Sequence, residues 1–446
     1  MTHQSTHSIH KIPSHRDYLL LSLPLIVSTI TTPLLGLVDT AVVGHLFDPA
    51  YLGGTAIGTL IFNTMYWLFG FLRVSTSGFA AQARGRNDIQ EGVADLIRPL
   101  MIALVIGLIF IALQIPILQT SLFLMQPGAD IAHWAGVYFH IRIWGAPLTL
   151  LNYVLIGWLM GMSHIRQTLI TQISMNVVNM LLAIWFTQGL GWGVAGVAAA
   201  TLFAEALALV TGLYFVWRSP YMNRRAIRLK GMFAWSQLKP MFRANSDLLV
   251  RTICLLTMFN IFTAQSTSFG PEVLAANSIL LQIHYMMAYF FDGLANASSI
   301  YAGQARGARS APLLRRSLTL SWVWTTVTAL LLTLVYLTGR EQFIALFTDN
   351  GAVIDLALQY NAWLLLFPLT TGFGLVFYGV FTGTTMTAPV RNSMLLSVVL
   401  FIIGCLVLIP AYGNHGLWAC FILFGIGRSV FLLLYVPGLE KRLAAS

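Results

Sequence analysis

Runs of about twenty apolar residues recur along this chain. A run of that length and character crosses a hydrocarbon core of about 30 Å as a helix. Roughly twelve can be marked, at 17–43, 52–81, 97–118, 132–160, 166–188, 192–216, 242–266, 274–303, 313–338, 356–383, 391–411 and 414–436. That is more than one soluble core can hold. The composition agrees, with 57% of residues hydrophobic and only 9% charged, against about 25% charged in soluble domains. The alternating pattern of an outer-membrane barrel is absent. The expected class is therefore an all-α polytopic membrane protein. The N-terminal "MTHQSTHSIHKIPSHRD" is polar and lacks a signal peptide's apolar core. The first apolar segment is expected to serve as the targeting signal. Cys254, Cys405 and Cys420 all fall in apolar runs and have neither disulfide-framework nor metal-ligand spacing.

Lys and Arg orient the chain. With both termini inside, the inner loops carry Arg84, Arg86, Arg166, Arg306, Arg309, Arg315, Arg316 and Arg391, and the outer loops only Arg340. Both termini are thus expected on the cytoplasmic side. The net charge of +10 follows from inner loops that face anionic lipid. It requires no nucleic-acid partner.

The chain repeats itself. "AAQARGRND" at 80–88 matches "AGQARGARS" at 302–310, an offset of 222 residues, and "LGGTAIG" at 52–58 aligns with "LAANSIL" at 274–280. A basic stretch near the middle separates the halves, giving lobes at 1–216 and 242–446 joined by a linker at 217–241. Six helices per half return the chain to the same side. The expected architecture is two six-helix lobes related by a parallel pseudo-two-fold repeat, an arrangement that usually builds transporters.

"PLLGLVDTAVVGHL" at 33–46, the following "YLGGTAIG", the twin "QARG" motifs and "RNSM" at 391–394 resemble the multidrug and toxic compound extrusion (MATE) family, in its DinF-like branch. The resemblance spans nearly the whole chain. It implies a V-shaped molecule in the bacterial inner membrane that alternates between outward- and inward-open states. It implies export of small organic compounds, cationic or amphipathic, driven by inward proton flow, with sodium coupling in some relatives. No cofactor or metal is expected, and a monomer suffices.

Asp39 is the residue that most needs a reason. It lies about 21 residues beyond Tyr18, roughly 30 Å along a helix, in the outer part of the bilayer. Intramembrane carboxylates are costly and mark ion or proton pathways by default. Burial raises a carboxyl pKa toward the range where protons exchange. The competing reading is an interfacial side chain that snorkels. Pro24 and Pro33 interrupt the hydrogen bonding of the same helix. The resemblance makes Pro24 the bend of that helix, biased by protonation of Asp39; a static kink is the plainer alternative. Candidate polar partners in the first lobe are Tyr138, Asn152, Asn176, Asn179 and Thr201. Amides and hydroxyls bond either state of a carboxyl, but also glue membrane helices together.

One departure from the family pattern matters. The fifth segment of relatives carries an aspartate four residues after its second asparagine, and here that position is Ala183. A sodium site prefers several oxygen ligands with carboxylates among them. The sodium-coupled branch relies on acids in the seventh and tenth segments, and the tenth here has Tyr378 in mid-segment with no interior acid. The expected ion is therefore H⁺ rather than Na⁺. Other charges leave more than one reading. Asp247 and Arg251 at i, i+4 suggest an ion pair or an inner gate. Glu205 suits either a proton relay or an ion pair. Asp292, whose repeat counterpart is Gly70 (Asp39's is Ile261), suits a substrate cation or a second ion. Arg73 and Arg428 receive no role. Tyr285, Met286, Met287, Tyr289, Phe290 and Phe291 offer a soft aromatic lining or plain lipid and core contacts. A lipid-linked precursor flippase is disfavoured, since its cavity would be cationic and the clear first-lobe group is acidic. An enzyme is disfavoured because HExxH, GxSxG and a P-loop are missing, and His164, His284 and His415 are isolated in sequence.

Overall fold

The computed structural model describes residues 12–44, 49–222 and 232–444; within these, the side chains of 32–41, 43, 44, 49, 440 and 442–444 are not described. The side chain of Asp39 thus lies outside the described residues, as do that of Pro33 and residues 223–231 of the basic linker. The chain is all-helical. In order come α1 (His15–Gly44), α2 (Pro49–Phe69), α3 (Phe71–Gly85), α4 (Ile89–Ala112), α5 (Gln114–Met125), α6 (Ala129–Arg142), α7 (Ala146–Gly161), α8 (Ile165–Ile184) and α9 (Gly193–Arg218). Then follow α10 (Trp235–Ser268), α11 (Pro271–Gly307), α12 (Ala311–Ala345), α13 (Gly351–Gly383), α14 (Ala388–Leu433) and a short α15 (Val436–Ala444).

Among the described residues ten helical stretches are long and apolar enough to span a membrane. The last of them is two crossings. At Gly413 the backbone turns to φ 56°, and beyond it the chain runs back along itself: Gly416 abuts the carbonyl of Leu408, Gly404 faces Cys420, and the Phe401 and Phe424 rings lie 6.2 Å apart. With α1, thirty residues long, this makes twelve. Three expected segments prove composite. The second breaks at Gly70 into α2 and α3, the third at Leu113 into α4 and α5, and the fourth is α6 and α7 joined by a 3₁₀ turn at Ile143–Gly145.

The helices pack into two compact units. The C-terminal unit comprises residues through Thr29 and from Phe242 onward; the N-terminal unit runs from Ile30 to Met241. The boundary falls inside α1. In the C-terminal unit the first part of α1 lies on α11, where Ile26 fills the space that a side chain at Gly293 would need. The Tyr18 hydroxyl hydrogen-bonds Ser298 Oγ at 2.7 Å, and Thr29 Oγ1 donates to the Tyr289 carbonyl at 3.1 Å.

In lipid, apolar helices gain little by hiding from their solvent, so close backbone packing must hold them together. Glycines at i, i+4 supply it, and the repeat places them twice. Gly157 and Gly161 on α7 meet the carbonyls of Arg73 and Ser77 on α3. Gly379 and Gly383 on α13 meet those of Ala295 and Ser299 on α11, each residue 222 positions on. The "QARG" motif has the same kind of explanation. Arg84 Nη1 donates to the Met162 carbonyl at the end of α7, and Arg306 Nη1 donates to the Thr384 carbonyl at the end of α13. Carbonyls at a helix C-terminus lack partners within the helix, and a cation there also suits the helix dipole. Turns repeat even where residues differ. Asn87 and Arg309 have φ of 55° and 51°, and Ser163 and Thr385 of 54° and 50°. Asp88 and Ser310 each cap the helix that follows.

Candidate functional site

In the N-terminal unit the strongest electrostatic feature is a pair the sequence reading did not assemble. Arg142, at the end of α6, donates Nη1 to Glu205 Oε2 at 2.9 Å and Nη2 to Glu205 Oε1 at 2.6 Å. Both side chains are buried. The bidentate geometry suits guanidinium and carboxylate, and the charges neutralise each other where neither would stand alone. Gly145, one turn on, gives them room, since a side chain there would meet both. The Arg142 guanidinium also lies 5.4 Å from the ring centres of Phe62 and Tyr66. Of the two readings of Glu205, the ion pair is the one observed.

The expected polar residues lie in the same unit, and one of them touches this pair. Asn152 donates to the backbone carbonyl of Glu205 at 2.9 Å, and its Oδ1 is buried with no partner among the described residues. Tyr138 is buried against Gly58, its hydroxyl 3.5 Å from Thr59 Oγ1. Asn176 donates to Thr31 Oγ1 at 3.2 Å, which ties α8 to the second part of α1. Asn179, one turn along α8, is 1% exposed, and its Oδ1 has no partner among the described residues. Thr201 spends its hydroxyl on the Val197 carbonyl of its own helix. Ala183 is fully buried with Phe186 and Ala200. The position that lacks an aspartate is therefore an apolar patch, where a carboxylate would find no solvation.

The C-terminal unit corrects one expectation. Asp247 does not pair with Arg251. It accepts from Thr387 Oγ1 at 2.7 Å and from Arg391 Nη1 at 2.8 Å. Arg251 instead stacks on Tyr378, its guanidinium carbon 3.9 Å from the ring centre. Spacing of i, i+4 sets proximity along one helix, but Thr387 and Arg391 offer Asp247 two well-aligned donors from the start of α14. Asp292 on α11 is half-buried. The aromatic run near it does not share one face: Met287 and Phe291 are in the core, whereas Met286 is exposed. Pro24 is half-buried in α1.

Beside the Arg84 carbonyl clamp lies His164, between α7 and α8. Its Nε2 is 2.8 Å from Ser219 Oγ and its ring is 5.9 Å from that of Tyr221. Burial lowers the His164 pKa below its ordinary value, and the Arg84 guanidinium adds to the effect.

The MatE family profile matches residues 24–185 and 248–407, one stretch in each half. The chain belongs to the MATE family. It is a multi-pass integral membrane protein of a transporter family. It is 35% identical to DNA damage-inducible protein F of Escherichia coli K12 over 91% of this chain and 88% of that one. It is 26% identical to a probable multidrug resistance protein NorM of Xylella fastidiosa over 86% and 82%. Among solved structures, an outward-facing MATE transporter of the MOP superfamily matches with a TM-score of 0.87 at 19% identity, each chain 98% covered. A MATE in the bent conformation matches with a TM-score of 0.85 at 21% identity, over 97% of this chain and 96% of that one. At such identities these two establish the fold of this MATE protein.

Proposed function

We propose that this MATE protein exports small organic compounds, cationic or amphipathic, by antiport with protons through alternating access. Asp39 is the proton site, with Tyr138, Asn152, Asn176, Asn179 and Thr201 as the polar surroundings on which its charge acts. Helix α1 is the moving part, bending near Pro24. The protein works as a monomer in the inner membrane of a bacterium, with both termini cytoplasmic and two six-helix lobes as transport halves.

The observation that carries the coupling mechanism is the division of α1. Thr29 is held within one compact unit and Thr31 within the other, five and seven residues after Pro24. A proline leaves the carbonyl four residues earlier, here that of Leu20, without its helical donor. The helix can bend there without breaking a further hydrogen bond. Charged Asp39 favours polar donors of the second stretch; protonated Asp39 loses that preference. A proton then shifts the equilibrium by its differential affinity for two states, about 1.4 kcal/mol for each unit of pKa difference. The apolar packing around Ala183 supports one carboxyl acting alone, and so H⁺ over Na⁺. The test is Asp39→Asn in proteoliposomes. The variant should purify as the folded protein and lose coupled export, whereas wild-type proton-driven efflux at equal reconstitution would sink the proposal.

A further inference from the structure

The C-terminal unit holds two arginines within its membrane-spanning helices that, among the described residues, form no ion pair with a carboxylate. Arg428 on α14 is 7% exposed, and among the described residues it makes no hydrogen bond or ion pair. Arg251 on α10 makes none either; its Nε is buried without a partner and its contact is the face of Tyr378. Arg428 packs against Gly374 and Arg251 against Tyr378, one helical turn apart on α13, and the charges of Arg251 and Asp292 both act on Arg428. The charge of Arg428 also acts on His284, whose Nδ1 is buried with no partner among the described residues.

This placement is built. Ser429 Oγ donates to the Thr370 carbonyl at 2.6 Å and accepts the Gly374 N–H at 2.9 Å, which fixes α14 against α13 beside Arg428. Gly374 is required there, because a Cβ would lie 3.1 Å from Arg428 Cγ and 2.8 Å from Ser429 Oγ. Arg251 sits over the face of Tyr378, a contact that uses the guanidinium face and not its N–H donors, and it is through those donors that arginine receives planar oxyanions. A buried cation in a membrane segment is costly and marks a pathway or ligand site by default.

We infer that Arg251 and Arg428 form a receptor for an oxyanion, a carboxylate, sulfonate or phosphate borne on an apolar body. Tyr378 provides the aromatic wall. Asp292 holds down the excess positive charge while the receptor is empty, and competes with the incoming anion. The compounds carried would then include anionic and zwitterionic amphiphiles, and not cations alone. This rests on the export reading only for why a solute should reach the receptor.

The test is therefore equilibrium binding to purified protein in neutral detergent, read by fluorescence anisotropy, with fluorescein as the anionic probe and rhodamine 6G as its cationic analogue. Arg428→Gln should weaken fluorescein at least about tenfold, Arg428→Lys should recover part of the loss, and rhodamine 6G should not weaken with either. Asp292→Asn should tighten fluorescein several-fold, a gain that misfolding cannot mimic. Displacement of fluorescein by phosphatidylglycerol but not phosphatidylcholine would assign the receptor to a lipid headgroup, and no displacement would assign it to soluble compounds; either supports the receptor. Fluorescein that fails to bind wild type, binds Arg428→Gln as well as wild type, or binds Asp292→Asn more weakly overturns it. Failure here leaves proton-driven export standing, and loss of export leaves the binding result standing.

Discussion

Alanines at Gly379 and Gly383 each add one methyl group with nowhere to go. Each would meet a carbonyl of α11, that of Ala295 or Ser299, inside the 3.0 Å that real Cβ atoms keep. The obstacle is backbone, so no rotamer change relieves it, and α13 must move off α11 by roughly an ångström. Overpacking of this kind costs about 1–3 kcal/mol per site. Alanine is favoured over glycine in a helix by about 1 kcal/mol, which offsets part of that. The double variant should lose on the order of 2 kcal/mol, or about 5 °C in unfolding temperature for a unit of this size. Gly136 on α6 is the control, since nothing lies within 4 Å of a Cβ there; Gly136→Ala should be neutral or stabilising. The assay is thermal unfolding in detergent followed by size-exclusion chromatography. Gly157→Ala with Gly161→Ala should shift in the same direction, because the repeat builds the same contact. An unchanged unfolding temperature in both double variants would refute backbone contact as the glue of each unit.

Arg142→Ala strands the buried carboxylate of Glu205 and should cost about 3–5 kcal/mol; Arg142→Met combined with Glu205→Leu should recover most of it in the same assay. Pro24→Ala should slow export while leaving substrate affinity nearly unchanged, checked by efflux and binding on one preparation. His164 predicts an acid-side loss of stability. Its folded-state pKa lies below the ordinary 6.5, so the unfolded chain binds the proton more readily as pH falls through that value. Wild type should therefore lose more unfolding temperature than His164→Gln between pH 7.5 and about 5.5, and equal losses would remove His164 from the account.

Much of the fold was legible because lipid imposes one length and one kind of backbone on every span. The 222-residue repeat was legible because "QARG" must be arginine to clamp the Met162 and Thr384 carbonyls. Broken helices were harder. The breaks at Gly70, Leu113 and Ile143–Gly145 sit inside segments that read as single apolar spans, so hydropathy carried no mark of them. Charge pairing was least legible. Arg142 and Glu205 are 63 residues apart and Asp247 and Arg391 are 144 apart, and nothing local links either pair. The nearby i, i+4 partner Arg251 offered a plausible pairing, but long-range packing gave Asp247 better donors. A signal for Arg142 did exist. A lone arginine at "FHIRIWG", within an apolar segment, has to find a carboxylate, and Glu205 is an acid in the middle of another apolar segment of the same half.

In the proposed mechanism one proton on Asp39 drives export. Substrate efflux from proteoliposomes of wild type and Asp39→Asn, with proton and sodium gradients imposed separately, puts this to the test. Export that follows the proton gradient alone in wild type, and disappears in Asp39→Asn, is the predicted result. Export that continues without a proton gradient and tracks an imposed sodium gradient, or that survives in Asp39→Asn, would contradict it.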